Sequence, residues 1–225
     1  MISSTLPAAR SVLAVCAHPD DESFGLGAVM STLVDQGADA TVLCFTRGEA
    51  STLHVTDDDL AVVRAEELAL AADVLGVRRS ELLGYADGHL ADQPLVELTA
   101  HVSRMVEEVG ADLIVAFDDG GITGHPDHVQ ATHAAVTAGW SCGVPVLGWG
   151  VLDRVADRLN DEFGAVFVGR ESNDLDFRIP VDRTLQSEAI ACHVSQSGSS
   201  PVLRRRLELT GGFEYLRWLT PVSAS

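Results

Sequence analysis

The chain has 225 residues, 46% of them hydrophobic, and its 33 acidic against 15 basic residues give a formal net charge of −18. This size favours one domain over residues 1–225, with an ordered core at about 11–209. The acidic balance disfavours nucleic acid as a partner, and because we find neither a membrane-spanning apolar run nor a secretory signal, we expect a cytoplasmic location away from membranes.

Apolar runs alternate with amphipathic stretches along the chain. The predicted strands are Ser11–Cys16, Ala40–Phe45, Glu81–Tyr85, Leu113–Phe117 and Val144–Leu152. The predicted helices are Leu26–Gln36, Asp57–Leu75, Pro94–Val109 and His128–Ala138. Since such alternation is typical of βαβ units with right-handed crossovers, we predict a single α/β domain whose Rossmann-like, largely parallel sheet is flanked by helices.

Beyond residue 152 the pattern is weaker. It suggests strands at Val166–Val168 and Phe177–Val181 and helices at Asp182–His193 and Pro201–Leu209. The basic run Arg204–Arg206 within the last of these helices is predicted to be a solvated helix face.

Two polar motifs follow predicted strands. The segment Ala17–Glu22, with the sequence AHPDDE, comes after the first strand, and Gly124–His128, with the sequence GHPDH, comes after the fourth. A turn with a helix cap explains one His-Pro-Asp segment, but two at strand ends of one sheet are harder to explain as caps. Burying several imidazoles and carboxylates together is costly unless a metal or a function compensates, so the pair indicates a site.

Imidazole and carboxylate groups suit zinc, and a catalytic zinc site has three protein ligands and one open position for water. His18 and Asp21 lie three residues apart, so one turn directs both side chains to the same ion, and His128 supplies the third ligand. We expect one zinc ion per chain here, although iron or cobalt could support the same chemistry. Asp20 is then free to act as a base on bound water, and His125 to stabilise the oxyanion.

Taken together, these motifs resemble those of the LmbE-like (PIG-L) zinc-dependent N-deacetylases. The two His-Pro-Asp segments are the specific part of the resemblance. Weaker similarities are found at Thr46–Glu49, Arg64–Gly76, Gly84–Gly88 (with Ala86 where Pro is usual) and Ala191–Gln196. The resemblance covers nearly the whole chain and implies hydrolysis of an N-acetyl amide on an N-acetylglucosamine-type conjugate, releasing acetate and a free amine.

The resemblance also implies roles for individual residues. It supports the same three ligands, base and oxyanion partner, and it makes Asp127 the residue that orients His125 or tunes its pKa. Residues implied to contact the substrate are Glu49, Arg64 and Asp87, and Arg47 is a further candidate for an anionic substrate group. Thr123 stands where some members carry a Tyr that stabilises the transition state. Glu22 stays open between support of the site and an acid at a helix N-terminus favoured by the helix dipole, and His193 between core packing and support of the site.

Other functions remain open at this point. An amidase that cleaves a larger acyl group or a thiol conjugate would use the same metal site. A zinc-binding accessory protein without turnover is disfavoured, because a closed structural site needs no base such as Asp20. A phosphoesterase normally uses two metals about 3.5–4 Å apart, and the sequence offers ligands for one. The expected partner is a small amino-sugar-like molecule, and homo-oligomers are left open.

Overall fold

The computed structural model describes residues 2–53, 59–198 and 200–220. Its strands are β1 Ser11–Cys16, β2 Asp39–Thr46, β3 Arg79–Tyr85, β4 Leu113–Phe117, β5 Val146–Gly150, β6 Phe177–Pro180 and β7 Phe213–Trp218. Its α-helices are α1 Asp21–Phe24, α2 Gly27–Asp35, α3 Leu60–Val74, α4 Leu95–Val109, α5 Gly121–Gly124, α6 Pro126–Cys142, α7 Asp153–Phe163, α8 Thr184–Cys192, α9 Val194–Ser197 and α10 Pro201–Thr210. None of these described helices has the length and apolar character needed to cross a bilayer.

The strands form one sheet in the order β3-β2-β1-β4-β5-β7-β6. The first five in this order are parallel, whereas β7 runs antiparallel to both β5 and β6. The predicted α/β class, with a Rossmann-like, largely parallel sheet flanked by helices, is confirmed. The chain order reverses between β1 and β4, and the crevice at the carboxyl ends of two such strands is where sheets of this kind bind ligands. The two His-Pro-Asp motifs follow these two strands.

Strand β1 is held between two hydrophobic cores. Val12 and Ala14 belong to one core, whereas Leu13 and Val15 belong to the other, which is the alternation of a strand covered on both faces. Burying one such aliphatic side chain contributes roughly 1.5–3 kcal/mol. Packing on both sides therefore fixes the position of β1 and of the motif that follows it.

Helix boundaries follow local capping rules. Helix α3 begins after Asp59, whose side chain accepts a hydrogen bond from the Ala61 amide at 3.0 Å. Helix α4 ends at Gly110, whose left-handed backbone (φ 62°) closes the last turn. Asp57 and Asp58, predicted in the first turn of α3, lie outside the described residues.

The second half of the chain departs from the predictions at three elements. Val166–Val168 is not a strand, and the place beside β5 is taken by β7, which the pattern did not reveal. The Val168 amide instead donates to the Ile122 carbonyl. Helix α7, also missed, is rich in charge and buries only three residues, Val155, Ala156 and Leu159.

The predicted solvated face at residues 204–206 is wrong for Arg206. Arg205 is a surface residue that pairs with Glu162, but Arg206 is only 4% exposed. The Arg206 guanidinium donates to the Phe24 carbonyl and lies 5.0 Å above the Trp149 ring. Its place between α10 and the sheet could not be read from a run of three identical charges.

Candidate active site

The carboxyl ends of β1 and β4 bring the three predicted metal ligands together. His18 follows β1, Asp21 begins α1, and His128 lies in the first turn of α6. His128 Nε2 is 3.1 Å from both His18 Nδ1 and Asp21 Oδ1, and His18 Nδ1 is 3.9 Å from Asp21 Oδ2. All three side chains are buried. Ligands bound at 2.0–2.1 Å to a tetrahedral ion lie about 3.3 Å from one another, so these separations suit one ion.

Contacts around the two rings decide which nitrogen carries the proton. His128 Nδ1 lies 3.2 Å from the Gly121 carbonyl oxygen, which can only accept, so Nε2 presents a lone pair. His18 Nε2 lies 3.0 Å from Asp87 Oδ1 and 3.4 Å from Asp127 Oδ2, as ion-pair contacts rather than well-aligned hydrogen bonds. A proton on that nitrogen leaves His18 Nδ1 with the second lone pair.

Two imidazole lone pairs and the Asp21 carboxylate thus point at one buried spot. Groups of this kind repel one another unless a cation lies between them, and two nitrogens with one oxygen form a donor set that suits zinc and similar ions. The surroundings favour positive charge at this spot: burial lowers the pKa of His18, but Asp127 and Asp87 raise it to about 10. A bound cation would take the place of that proton and use the lone pair on Nδ1. Burial raises the pKa of Asp21, but His128 holds it well below its usual range. The residues therefore fit a divalent metal ion.

Asp20, the predicted base, has a strained backbone. Its φ of 116° lies in the left-handed region that L residues rarely adopt, at a cost of about 1–3 kcal/mol. Two contacts hold it there: the Asp20 amide donates to Glu22 Oε2 at 2.9 Å, and Arg64 Nη2 lies 3.0 Å from Asp20 Oδ2. Burial raises the pKa of Asp20 to about 6 despite the neighbouring guanidinium. The strained backbone places the Asp20 carboxylate, whose acidity is weakened, among the lining residues of the cavity that the three candidate metal ligands also line.

Glu22 holds the Asp20 backbone through the hydrogen bond that it accepts from the Asp20 amide. Its side chain is fully buried and forms a 2.6 Å contact with His193 Nε2, which is buried as well. Burial lowers the pKa of His193, but Glu22 raises it above its ordinary value. Glu22 and His193, whose roles the sequence left open, thus form one ion pair. This pair fixes the Glu22 carboxylate, which accepts the hydrogen bond from the Asp20 amide.

The late motif Ala191–Gln196 anchors the same region to α3. The Ser195 amide and hydroxyl donate to the two oxygens of Glu67, at 2.7 and 2.6 Å. Gln196 accepts a hydrogen bond from the Ser51 hydroxyl at 2.7 Å and lines the cavity. Sequence reasoning did not assign these contacts, because their partners are more than 100 residues apart in the chain.

His125 directly precedes α6, caps that helix and is half-buried at the cavity. Its Nδ1 accepts a hydrogen bond from the Asp127 amide at 3.2 Å, so in the neutral ring Nε2 carries the proton. Burial and the neighbouring His18 and His128 lower the pKa of His125. His18, His125 and Asp127 form a second possible metal group, but it shares His18 with the first and one His125 nitrogen is already engaged.

Asp127 has further partners beside the expected His125, whose Nδ1 accepts from the Asp127 amide and whose pKa is lowered by burial and raised by the Asp127 charge. The Asp127 carboxylate accepts from the Gly88 amide at 2.8 Å and the Leu90 amide at 3.0 Å, and it faces His18 Nε2. The carboxylate makes no hydrogen bond to the His125 ring among the described contacts. Asp127 is therefore placed to orient His18, a candidate metal ligand, and to tie the segment after β3 to the site.

Arg64 lines the cavity but uses its guanidinium on the protein itself. Nη1 donates to the Gly48 carbonyl at 2.7 Å, and Nη2 donates to the Pro19 carbonyl and pairs with Asp20. A side chain at Gly48 would lie 2.1 Å from Arg64, so the glycine lets the two segments meet. Besides the sugar contact expected of it, Arg64 therefore has a structural role, because it holds the segment that carries Asp20.

The other expected substrate residues divide into two groups. Asp87 lines the cavity, where its carboxylate contacts His18 and accepts from the Ala50 amide at 3.0 Å. Glu49 accepts from the Asp87 amide at 2.9 Å but is exposed, as is Arg47. Neither Glu49 nor Arg47 lines the cavity formed by the described residues.

The cavity over the cluster has a volume of about 490 Å³. The three candidate metal ligands, Asp20 and His125 are among its lining residues. Sequence reasoning missed apolar residues of the lining, among them Phe117, Trp149, Phe167, Val202 and Leu203. These residues come from four separate segments, so no local motif signals them.

Comparisons with known proteins identify the family of the chain. A family model described as PIG-L, GlcNAc-PI de-N-acetylase, matches residues 13–139. A 1D-myo-inositol 2-acetamido-2-deoxy-alpha-D-glucopyranoside deacetylase 1 of Catenulispora acidiphila is 35% identical over 156 residues, covering 58% of this chain and 48% of that protein. The chain spans about half the length of the curated relatives it matches.

Solved structures show the shared fold. The A40926 pseudoaglycone deacetylase Dbv21 superposes with a TM-score of 0.71 at 21% identity, over 97% of this chain and 100% of that one. GalB, the 4-carboxy-2-hydroxymuconate hydratase of Pseudomonas putida, gives a TM-score of 0.69 at 18% identity, over 96% and 98%. Because a deacetylase and a hydratase share the fold, the activity has to be argued from the site.

Proposed function

The chain belongs to the PIG-L family, as its motifs indicated, and from that premise we propose that it is a zinc-dependent N-deacetylase acting on an N-acetylglucosamine-type conjugate. One observation carries the proposal. Two imidazole lone pairs and a carboxylate converge within 4 Å, and these residues line one cavity together with the strained Asp20. We assign one zinc ion to His18, Asp21 and His128, and take residues 1–225 as a single deacetylase domain.

When bound, zinc would polarise the amide carbonyl and lower the pKa of water from 15.7 to about 7. Asp20 accepts a proton from the attacking water, whose oxygen forms the new bond to the carbonyl carbon. The N–H at His125 Nε2 donates a hydrogen bond to the oxyanion that develops and keeps its proton. The C–N bond then breaks, and the amine leaves with the proton that Asp20 accepted from the water. Acetate and a free amine are the products.

The polar residues of the cavity support an amino-sugar substrate. Asp87, Ser51 and Gln196 line the same cavity as the candidate metal ligands and offer the acceptors and donors that a hydroxylated ring needs. The Catenulispora relative is named for a GlcNAc glycoside of myo-inositol. We propose that this chain also acts on a conjugate of N-acetylglucosamine. The substrate panel described next identifies the group attached to the sugar.

A substrate panel tests the proposal. Release of primary amine would be measured from N-acetylglucosamine, its inositol and malate conjugates and a thiol-conjugate amide, with zinc-loaded and chelated protein in parallel. We expect zinc-dependent release from at least one acetylated sugar. Turnover of the thiol-conjugate amide alone would instead identify the amidase alternative, and no release by zinc-loaded protein would refute the proposal.

Replacing His125 by Ala is expected to lower kcat by about 10²–10³, the usual loss for one oxyanion donor. The ring also caps α6, so the thermal midpoint should be measured beside the rate. Metal content should stay at one zinc per chain, because His125 is not among the three assigned ligands. A kcat near that of the unmodified protein would remove His125 from the mechanism.

A further inference from the structure

The short segment α5, Gly121–Gly124, carries two hydrogen-bond partners of the candidate metal ligand His128. Thr123 Oγ1 lies 3.1 Å from His128 Nδ1, and the Gly121 carbonyl oxygen lies 3.2 Å from the same nitrogen. The Thr123 hydroxyl also donates to the Gly121 carbonyl oxygen at 3.4 Å. Because the hydroxyl proton is directed at that carbonyl, Thr123 Oγ1 is left to accept from the proton on Nδ1.

These two acceptors fix the proton and the orientation of the His128 ring. With Nδ1 donating to two oxygens, Nε2 of the neutral ring keeps the lone pair that a metal ion needs. A hydroxyl that donated to Nδ1 would place the ring proton on Nε2 instead, and the ring could no longer bind a metal through that atom. The direction of the Thr123 hydroxyl therefore decides whether His128 is ready to act as a ligand.

The backbone between the two acceptors is strained. Ile122 has φ 54° and ψ −58°, and a positive φ is rare for a β-branched residue. Strain of this kind persists only where the surrounding structure holds it, and it is common at functional sites. Ile122 is 2% exposed, and its carbonyl accepts from the Val168 amide at 2.6 Å. The strained residue joins the Gly121 carbonyl to Thr123, so holding it also holds both acceptors.

Four charged residues hold the start of this segment. Asp118, which follows β4, is 1% exposed, and its two carboxylate oxygens pair with Arg170 and, at 2.6 Å, with Arg217. Asp119 pairs with the same two guanidinium groups. The Asp118 carbonyl accepts from the Gly121 amide at 2.8 Å. The two arginines are thus connected to the segment that carries both acceptors.

These arginines come from a part of the chain that the family model does not match. The match covers residues 13–139, whereas Arg170 follows α7 and Arg217 lies in β7. Resting on the proposed function, we propose that Thr123 and Arg170 are positioning residues of the metal site. Thr123 holds the His128 ring directly. Arg170, from the C-terminal part of the chain, holds the segment that carries Thr123.

Thr123→Val and Thr123→Ser test the hydroxyl. Val keeps the shape of Thr but cannot accept a hydrogen bond, whereas Ser keeps the hydroxyl. Because the Gly121 carbonyl remains, we expect the zinc dissociation constant to rise about 10-fold in Thr123→Val, the lower end of the usual effect, and by less than about twofold in Thr123→Ser. Competitive zinc titration gives the constant, and the thermal midpoint shows that both variants fold. An unchanged constant in folded Thr123→Val would refute the role of Thr123.

Arg170→Ala tests the support from the C-terminal part of the chain. We expect the zinc dissociation constant to rise about 10-fold. Arg205→Ala is the matched control, because Arg205 pairs with Glu162 at the surface, and it should leave the constant unchanged. If Arg170→Ala does not fold, Arg170→Lys, which keeps a single positive charge beside Asp118, is measured in its place. A folded variant at position 170 with normal zinc affinity would remove Arg170 from the metal site.

A spectroscopic readout separates positioning from a general loss of stability. In zinc-loaded protein with isotope-labelled histidine, we expect the His128 Nδ1 proton to give a slowly exchanging resonance. Thr123→Val should speed its exchange, and Thr123→Ser should keep it. Failure of the unmodified protein to bind zinc would refute the proposed function. Normal zinc binding by that protein, with the same resonance and the same zinc affinity in Thr123→Val, would refute the positioning role alone.

Discussion

Replacing Asp20 by Asn is expected to lower kcat about 10²–10⁴-fold, the usual contribution of a positioned general base. The amide of Asn cannot take the proton from water at neutral pH, whereas the carboxylate can. Asn is also one of the few residues that tolerate positive φ, so the strained backbone at this position should survive. The measurement is kcat for amine release on the conjugate that the unmodified protein turns over best.

Two controls make this result specific to the base. Zinc content should remain at one per chain, because Asp20 is not an assigned ligand. Asp39→Asn, the same substitution at an exposed residue at the start of β2, should leave kcat unchanged. A kcat within a few-fold of normal in zinc-loaded Asp20→Asn would exclude Asp20 as the base.

The second large effect is expected from His128→Ala. Removing a side chain that merely orients a ligand typically costs 10–100-fold in metal affinity, so loss of a ligand should cost more than about 100-fold. The cavity left by the ring lies against Phe117, and the fold should be checked by the thermal midpoint. Zinc content after dialysis and the zinc dissociation constant are the measurements.

His133→Ala is the matched control for this variant. His133 lies on the same helix, is exposed and belongs to neither candidate metal group. It should keep one zinc per chain. If His128→Ala kept normal zinc affinity as a folded protein, the metal would have to be held elsewhere, and the second group around His18, His125 and Asp127 would become the site to test.

The fold and the convergence of the three candidate metal ligands could be predicted because their signals are local. His18 and Asp21 directly follow the first predicted strand, and His128 follows the fourth. The same short segments therefore predict both the strand ends and the candidate ligands. The parallel order of β1 and β4 then brings them together, since motifs at the carboxyl ends of neighbouring parallel strands meet at one edge.

The supporting contacts could not be predicted because their partners are distant in sequence. Glu22 and His193 meet across 171 positions, and the amides that bind Asp127 belong to the segment after β3. The family resemblance made Asp127 a partner of His125, and the structure keeps a hydrogen bond from the Asp127 amide to that ring. The structure adds the His18 ring, whose Nε2 lies 3.4 Å from the Asp127 carboxylate.

Strand β7 was hidden by its own composition. Its sequence FEYLRW carries Glu214 at a buried position, and a buried acid interrupts the apolar alternation that marks a strand. Glu214 is compensated by Trp149 Nε1 and by Arg183, which come from other elements. Only the folded structure shows that the buried Glu214 carboxylate has these partners.

Titration of zinc into metal-stripped protein, with amine release from the preferred conjugate followed at each step, tests the central claim most directly. That claim is that His18, Asp21 and His128 hold one metal ion on which amide hydrolysis depends. We predict almost no release at first, a linear rise, and a plateau at one equivalent of zinc per chain. Full activity of the stripped protein, or a rise that continues to two equivalents, would contradict the account.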